Sequence, residues 1–340
     1  MLNGDIIKFI NWFSYKIINN LDKPLIYMIT FGILELILGS SNDPVTKSSR
    51  RLLKVHSDGG MEGRYKPTAV GSHVSGILIW FNYKYFFLTA RHCLQKFRDD
   101  IGDEIQLNNF YNHSPYWINK SDSFSDSLLD FLYVRKIWFI GEIFKLRVFE
   151  TAEGIDLEDL CLLEIYYPMQ PVKNYVNLNN LNNVVKSKSE VNNSLMGFSG
   201  YPAEKNPYFW EDNDVVPITG TATHSTLFTR WYDYGINIGN SNCIQLLRPR
   251  RFDYSGMCGG TVFTINESEI KWAGMYISGS DDKARYIPSY LILDVILNYR
   301  ESRSLTIDQD AEICGGANYV SNKEYRKAVQ RMEKMFKSWI

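Results

Sequence analysis

The pattern of apolar and polar positions changes twice along the chain. Between residues 6 and 21, apolar side chains recur at helical spacing, and polar side chains occupy most of the opposite face. The apolar stretch at residues 25–38 is shorter than the roughly 20 residues that a membrane span needs. We predict a helical N-terminal extension over residues 1–65 that packs on the rest of the protein. A membrane-associated anchor at residues 1–40, or a targeting segment, remains an alternative.

From about Tyr65 onward, short apolar or alternating runs replace the helical pattern, and Gly, Asn, Asp and Ser separate them. Such runs are typical of a β-sandwich or β-barrel rather than of alternating strands and helices. The stretch 166–181, with two prolines and several asparagines, is typical of a connection between two lobes. The apolar runs lie at residues 76–81, 85–89, 131–134, 160–165, 195–198, 262–265 and 272–277. We therefore predict an all-β core in two parts, residues 66–170 and 171–285.

Helical periodicity returns near the C-terminus, first at residues 288–299 and then at residues 322–340, where apolar side chains form a stripe. We predict C-terminal helices over residues 286–340, with the stripe as a packing face.

Composition narrows the class of protein. The chain has 340 residues with 37 Lys+Arg against 38 Asp+Glu, so its formal charge is −1, and 45% of its residues are hydrophobic. This balance excludes a basic nucleic-acid-binding arm, so we expect no nucleic-acid partner. The five cysteines show neither C-x-x-C nor Cys/His spacing. We expect no metal, no cofactor and no disulfide framework, and therefore a reducing, cytoplasmic location.

Three short motifs point to a catalytic site. Thr-Ala-Arg-His-Cys ends one predicted strand at Cys93, Asp159 opens another, and Gly-Met-Cys-Gly-Gly, centred on Cys258, precedes a third. An imidazole next to a thiol accepts its proton and leaves a nucleophilic thiolate, while a carboxylate orients the imidazole. The order His92, Asp159, Cys258 brings these groups together only if the tertiary fold does so. Asp130, which also opens a strand-like run, is an alternative acid.

In this order, the motifs resemble those of the chymotrypsin-like peptidase family, whose serine members carry T-A-x-H-C, D-[IL]-x-[LV]-L and G-D-S-G-G-P. With cysteine in the serine position, residues 256–260 are similar to the G-x-C-G-G of picornavirus-type 3C proteases. The resemblance covers roughly residues 66–297 and implies a chymotrypsin-like double β-barrel with helical N- and C-terminal extensions. It also implies that Cys258 is the nucleophile, His92 the general base and acid, and Asp159 the residue that orients His92.

The same resemblance implies binding residues around the nucleophile. The N–H groups of Gly256 and Cys258 correspond to the oxyanion hole. Trypsin-like or glutamine specificity does not carry over, because Phe252 and Tyr276 stand where those enzymes have their specificity residues. The residues expected to bind substrate are Phe252, Tyr276, Ile277, Ser278 and Gly279.

Two departures from the family pattern bear on activation and on the cysteines. Met257 stands where trypsin-like zymogens carry the aspartate that pairs with a newly cut N-terminus, so we do not expect that activation device. Cys93 follows the histidine as in the family's disulfide, but its expected partner region contains no cysteine. We therefore predict that Cys93 and the other three cysteines take no part in the chemistry.

The sequence thus predicts an endopeptidase that cleaves protein or peptide substrates through a thioester acyl-enzyme. The alternative, from a different functional class, is a catalytically inactive pseudoprotease that keeps the fold as a peptide- or protein-binding module.

Overall fold

The fold comprises two closed β-barrels. A computed structural model describes residues 43–56, 69–95, 116–121, 131–146, 156–168, 172–206, 229–238, 242–249, 253–265 and 269–306. The strands of the first barrel are β1 (Ser49–His56), β2 (Ala69–Phe81), β3 (Lys84–Ala90), β4 (Tyr116–Asn119), β5 (Phe131–Trp138) and β6 (Leu160–Ile165). Antiparallel pairing runs β1–β4–β5–β6–β3–β2 and closes from β2 back to β1. Outside this ring, β7 (Val176–Asn177) pairs in parallel with β2.

The second barrel is also a ring of six antiparallel strands. They are β8 (Leu195–Gly200), β9 (Trp231–Asn237), β10 (Cys243–Leu246), β11 (Thr261–Ile265), β12 (Ile270–Gly279) and β13 (Lys283–Pro288). Pairing runs β8–β9–β10–β13–β12–β11 and closes from β11 back to β8. The two rings agree with the double-barrel architecture that the sequence predicts.

Helices are short and lie at strand ends. Helix α1 (Arg91–Gln95) follows β3, and helix α2 (Ser289–Leu297) follows β13. Tyr299 then packs edge-on against Phe86 and Trp138, with ring centroids 5.3 and 4.9 Å away. Strand β14 (Ser304–Thr306) pairs with β5. The segment that follows the second barrel therefore returns to the first. Short 3-10 helices span Ile140–Leu146, Leu181–Asn183, Lys188–Val191, Ala203–Lys205 and Tyr299–Glu301.

Burial explains why β3 and β6 are mostly apolar. Every residue of β6, and every residue of β3 except Lys84, is buried, so neither strand has a solvent face that would require alternating polar side chains. A two-residue turn joins β2 to β3, and both of its residues, Asn82 and Tyr83, have positive φ, as type I′ hairpin turns require.

Small hydroxyl side chains form the boundary between the barrels. The Ser49 hydroxyl lies 2.8 Å from that of Ser199 and accepts a hydrogen bond from the Thr261 N–H at 3.0 Å. Ser48 and Thr261 join their hydroxyls at 2.8 Å. Because all four residues are fully buried, each hydroxyl has a protein partner in place of water.

The predicted ends of the barrels need correction. Residues 49–56 form a strand of the first barrel, so the helical extension predicted for residues 1–65 is too long at its C-terminal end. The patterns behind that prediction end at residue 38, so residues 49–56 were included without a signal of their own. Arg50 and Arg51 are only 1% exposed, and Arg50 donates to the carbonyls of Lys173 and Asn174. Likewise, β13 continues past the predicted boundary at residue 285, and β14 is a strand within the predicted C-terminal helices.

The terminal segments lie outside the described residues. These segments include the predicted helices before residue 43 and after residue 306, and with them the proposed membrane contact of residues 1–40. Across the ranges that the structure describes, no helix is long and apolar enough to cross a membrane.

Candidate active site

His92 and Asp159 meet because their strands are neighbours. Strand β3 pairs with β6 so that Ala90 lies opposite Leu160, which brings the residues just beyond these two together. His92 Nδ1 lies 2.5 Å from Asp159 Oδ2, and the His92 N–H donates to Asp159 Oδ1 at 2.7 Å. The two bonds hold the imidazole in one orientation, with Nε2 facing away from the carboxylate. The alternative acid, Asp130, lies outside the described residues.

Cys258 approaches this pair from the second barrel. It lies in the turn before β11 and is half-buried, and His92 is close enough to it to lower the pKa of its thiol. The Cys258 thiol also donates to the carbonyl of Ile277 at 3.0 Å. Ile277 sits at a register shift between β12 and β13, where a bulge leaves a carbonyl available. The structure thus brings His92, Asp159 and Cys258 together across the barrel boundary.

The contacts shift both ionisable partners of this site. The pKa of His92 is raised to about 10, mainly by its hydrogen bond to Asp159 and then by that to Cys258. The pKa of Cys258 is lowered to about 5, first by a hydrogen bond with Cys93, against the opposing effect of burial, and then by His92. The two pKa shifts have opposite directions, as expected where an imidazole and a thiol are neighbours whose charged forms stabilise each other.

Two other cysteines show the opposite behaviour. Burial raises the pKa of Cys161 and of Cys243, because the loss of water around a thiolate outweighs the opposing effect of nearby cations such as Arg91 and Lys283. The contrast makes Cys258 chemically distinct from these two thiols.

The turn around Cys258 has a specific hydrogen-bonding pattern. The Ser255 carbonyl accepts from Ala203 N–H at 2.7 Å, and the Met257 carbonyl accepts from Gly260 N–H at 2.8 Å. Each bond fixes the orientation of one peptide group. The N–H of that peptide group, which belongs to Gly256 in the first case and to Cys258 in the second, points in the direction opposite to the bonded carbonyl. From residue 255 to residue 260, these two N–H groups alone donate to no acceptor among the described residues. The arrangement can bind an oxyanion.

The residues expected to bind substrate differ in exposure. The backbone of Tyr276 pairs with the turn through Gly259 and Gly260, while its ring stacks on Phe198 with centroids 5.0 Å apart and planes 7° from parallel. Tyr276 is therefore a packing residue. Ile277 is also buried, Ser278 is exposed, Gly279 is half-buried, and Phe252 lies outside the described residues.

Cys93 has a place in the site that the sequence analysis did not give it. Its Sγ lies 3.4 Å from His92 Nε2 and 4.0 Å from the carbonyl oxygen of Cys258. These contacts were not predicted from the sequence, and that Cys93 takes no part in the chemistry stays a prediction. Its position directly after His92 could have indicated these contacts. The sequence analysis considered Cys93 only in relation to the family's disulfide.

The class of protein is inferred from the fold. The chain matches no protein-family model and no curated protein. Two closed six-stranded antiparallel barrels are compatible with the chymotrypsin-like fold, and hence with a peptidase.

Proposed function

We propose that the protein is a cysteine endopeptidase that cleaves polypeptides through a thioester acyl-enzyme. The observation that carries this proposal is the position of the His92 imidazole, which is hydrogen-bonded to the carboxylate of Asp159 and lies close enough to Cys258 of the other barrel to lower the pKa of its thiol. Together with the lowered pKa of Cys258, this provides a nucleophile, a proton carrier and an orienting carboxylate in one site.

In the acylation step, the Cys258 thiolate attacks the carbonyl carbon of the scissile peptide. The negative charge that develops on the carbonyl oxygen is stabilised by the N–H groups of Gly256 and Cys258, and each such donor typically contributes about 3 kcal/mol to transition-state stabilisation. The His92 imidazolium donates its proton to the departing nitrogen, the C–N bond breaks, and the amine product leaves a thioester on Cys258.

In the deacylation step, neutral His92 removes a proton from water as the water attacks the thioester. The C–S bond then breaks, the carboxylic acid product leaves, and the thiolate and imidazolium form again. Throughout the cycle, Asp159 accepts a hydrogen bond from His92 Nδ1 and stabilises its charged form.

The substrate is an extended polypeptide that pairs with the end of β12. Strand β12 pairs with β11 only as far as Met275, while on its other side Ser278 and Gly279 pair with β13. Among the described residues, no strand pairs with the other edge of Ser278–Gly279, and there the main chain of a peptide adds to the sheet as a further strand.

The proposal is tested by N-terminal proteomics in cells that express the wild type or Cys258→Ala. We expect new N-termini with the wild type that are lost with Cys258→Ala. Cys243→Ala is the matched control, because it removes a half-exposed thiol of the same barrel away from His92.

Labelling with iodoacetamide separates the proposal from its main rival. An endopeptidase gives both rapid labelling of Cys258 at pH 6 to 7 and Cys258-dependent cleavage. Rapid labelling without cleavage under activating conditions would favour a peptide-binding pseudoprotease, and equal labelling of Cys258 and Cys243 would refute the thiolate itself.

A further inference from the structure

Ser75, on β2 of the first barrel, contacts the Cys258 turn of the second barrel. It is fully buried. Its hydroxyl donates to the Gly256 carbonyl at 2.6 Å and accepts from the Tyr201 N–H at 2.8 Å. Its own N–H donates to the Cys258 carbonyl at 3.2 Å. One side chain of the first barrel therefore binds the segment of the second barrel that carries both candidate oxyanion donors.

We propose that Ser75 is a positioning residue that orients the oxyanion hole of the proposed peptidase across the barrel boundary; this inference rests on the proposed function. The peptide between Gly256 and Met257 separates the two donor N–H groups. Its oxygen is held by the Ser75 hydroxyl, and its N–H donates to the Tyr254 carbonyl at 2.9 Å. With both ends of this peptide fixed, neither donor can rotate independently.

The packing around Ser75 leaves the turn little room for another arrangement. A Cβ atom on Gly259 would lie 2.0 Å from the Ser75 carbonyl oxygen and 2.7 Å from Thr89 Oγ1. A Cβ atom on Gly200 would lie 2.9 Å from Ser75 Oγ. The two glycines thus allow the backbones of both barrels to close around Ser75, and Gly259 also has a positive φ of 91° that favours glycine.

The side chain of Met257, which lies in the same turn, carries no charge that could form an ion pair to hold the turn. Met257 is fully buried and packs in an apolar cluster with residues such as Tyr254 and Phe198. The turn is therefore held by the neutral hydrogen bond from Ser75 of the first barrel and not by an ion pair at position 257. Ser75 touches neither the thiol nor the imidazole in this arrangement, so its effect falls on the donors rather than on the nucleophile.

The experiment compares two reactions of Cys258 in the full-length protein. Acylation by p-nitrophenyl acetate forms a thioester, releases p-nitrophenolate and passes through an oxyanion, whereas alkylation by iodoacetamide displaces iodide and needs no oxyanion hole. We expect Ser75→Ala to slow acylation about 10- to 100-fold, because losing one oxyanion donor costs about 100- to 1,000-fold and here the donors are only misaligned. Alkylation should stay within about twofold of the wild type.

Ser289→Ala is the matched control, because Ser289 is also fully buried and donates to a backbone carbonyl, that of Val185, at 2.7 Å. It should lower the melting temperature about as much as Ser75→Ala while leaving both reactions unchanged. Unchanged acylation in Ser75→Ala, or an equal loss of acylation and alkylation, overturns the positioning role. If the wild type itself shows no Cys258-dependent acylation, the proposed function fails instead, so the two failures are distinguishable.

Discussion

The contacts of Cys93 with His92 and with the turn that carries Cys258 give a quantitative prediction. Cys93→Ala removes the largest single cause of the lowered pKa of Cys258 and leaves the bonds between His92 and Asp159 in place. A hydrogen bond to a charged group contributes about 1.5–3 kcal/mol, and a thiol is a weak donor, so the lower end applies. Since one pKa unit corresponds to about 1.4 kcal/mol, the pKa of Cys258 should rise by about one unit, from about 5 to about 6.

His92→Ala provides a second measure of such a shift. His92 also lowers the pKa of Cys258, both as a hydrogen-bond partner and through its charge. Loss of His92 should therefore also raise the pKa of Cys258, and comparison with Cys93→Ala measures how much each partner contributes.

The assay is the rate of iodoacetamide alkylation of Cys258 against pH, followed by mass spectrometry of the peptide that contains it. Cys93→Ala should move the midpoint of the profile upward by about one pH unit. At pH 8, where the thiolate is fully formed in both proteins, the variant should react about threefold faster, because nucleophilicity rises with thiolate basicity.

Cys161→Ala is the matched control for this measurement, because Cys161 is also a buried thiol of the first barrel, and in the described part of the chain it forms no hydrogen bond with the imidazole or with Cys258. Its midpoint should equal that of the wild type. A profile of Cys93→Ala that coincides with the wild type, or an equal shift in Cys161→Ala, would refute the reasoning.

Three further predictions concern other parts of the structure. Asp159→Asn should lower the pKa of His92 from about 10 by one to three units, because the main cause of its elevation is lost. The imidazolium should then lose its proton at lower pH, and NMR titration of the imidazole measures this pKa. Gly259→Ala should reduce the free energy of unfolding in urea by at least ~2 kcal/mol, because its Cβ atom would meet the Ser75 carbonyl at 2.0 Å. Tyr254→Phe should reduce it by about 1–3 kcal/mol, because fully buried Asp233 would lose the phenolic donor.

Each of these predictions has a control in the same chain. Asp156→Asn changes an exposed acid whose carboxylate accepts from Glu158 N–H, and it should leave the His92 titration in place. Ser278→Ala and Tyr83→Phe alter exposed side chains and should change the free energy of unfolding by less than about 0.5 kcal/mol. Equal effects of a test variant and its control would contradict the corresponding argument.

The sequence by itself determined the kind of architecture. The mainly apolar runs at residues 85–89, 160–165 and 195–198 correspond to strands β3, β6 and β8, because strands buried on both faces are built mostly from apolar side chains. The motifs that end or open such strands also pointed to His92 and Asp159, because a residue at a strand end has a position that the neighbouring strand fixes.

The tertiary structure alone decided which groups touch. Local pattern does not encode strand pairing, so only the β3–β6 register brings Asp159 against His92, and only closure of both barrels brings Cys258 to the other side of the imidazole. Cys93 read as a bystander because a thiol's partners cannot be inferred from its neighbours in sequence. Nothing in the sequence pointed to Ser75, because a serine in a strand becomes a positioning residue only when its hydroxyl forms a hydrogen bond with a backbone carbonyl of the other barrel.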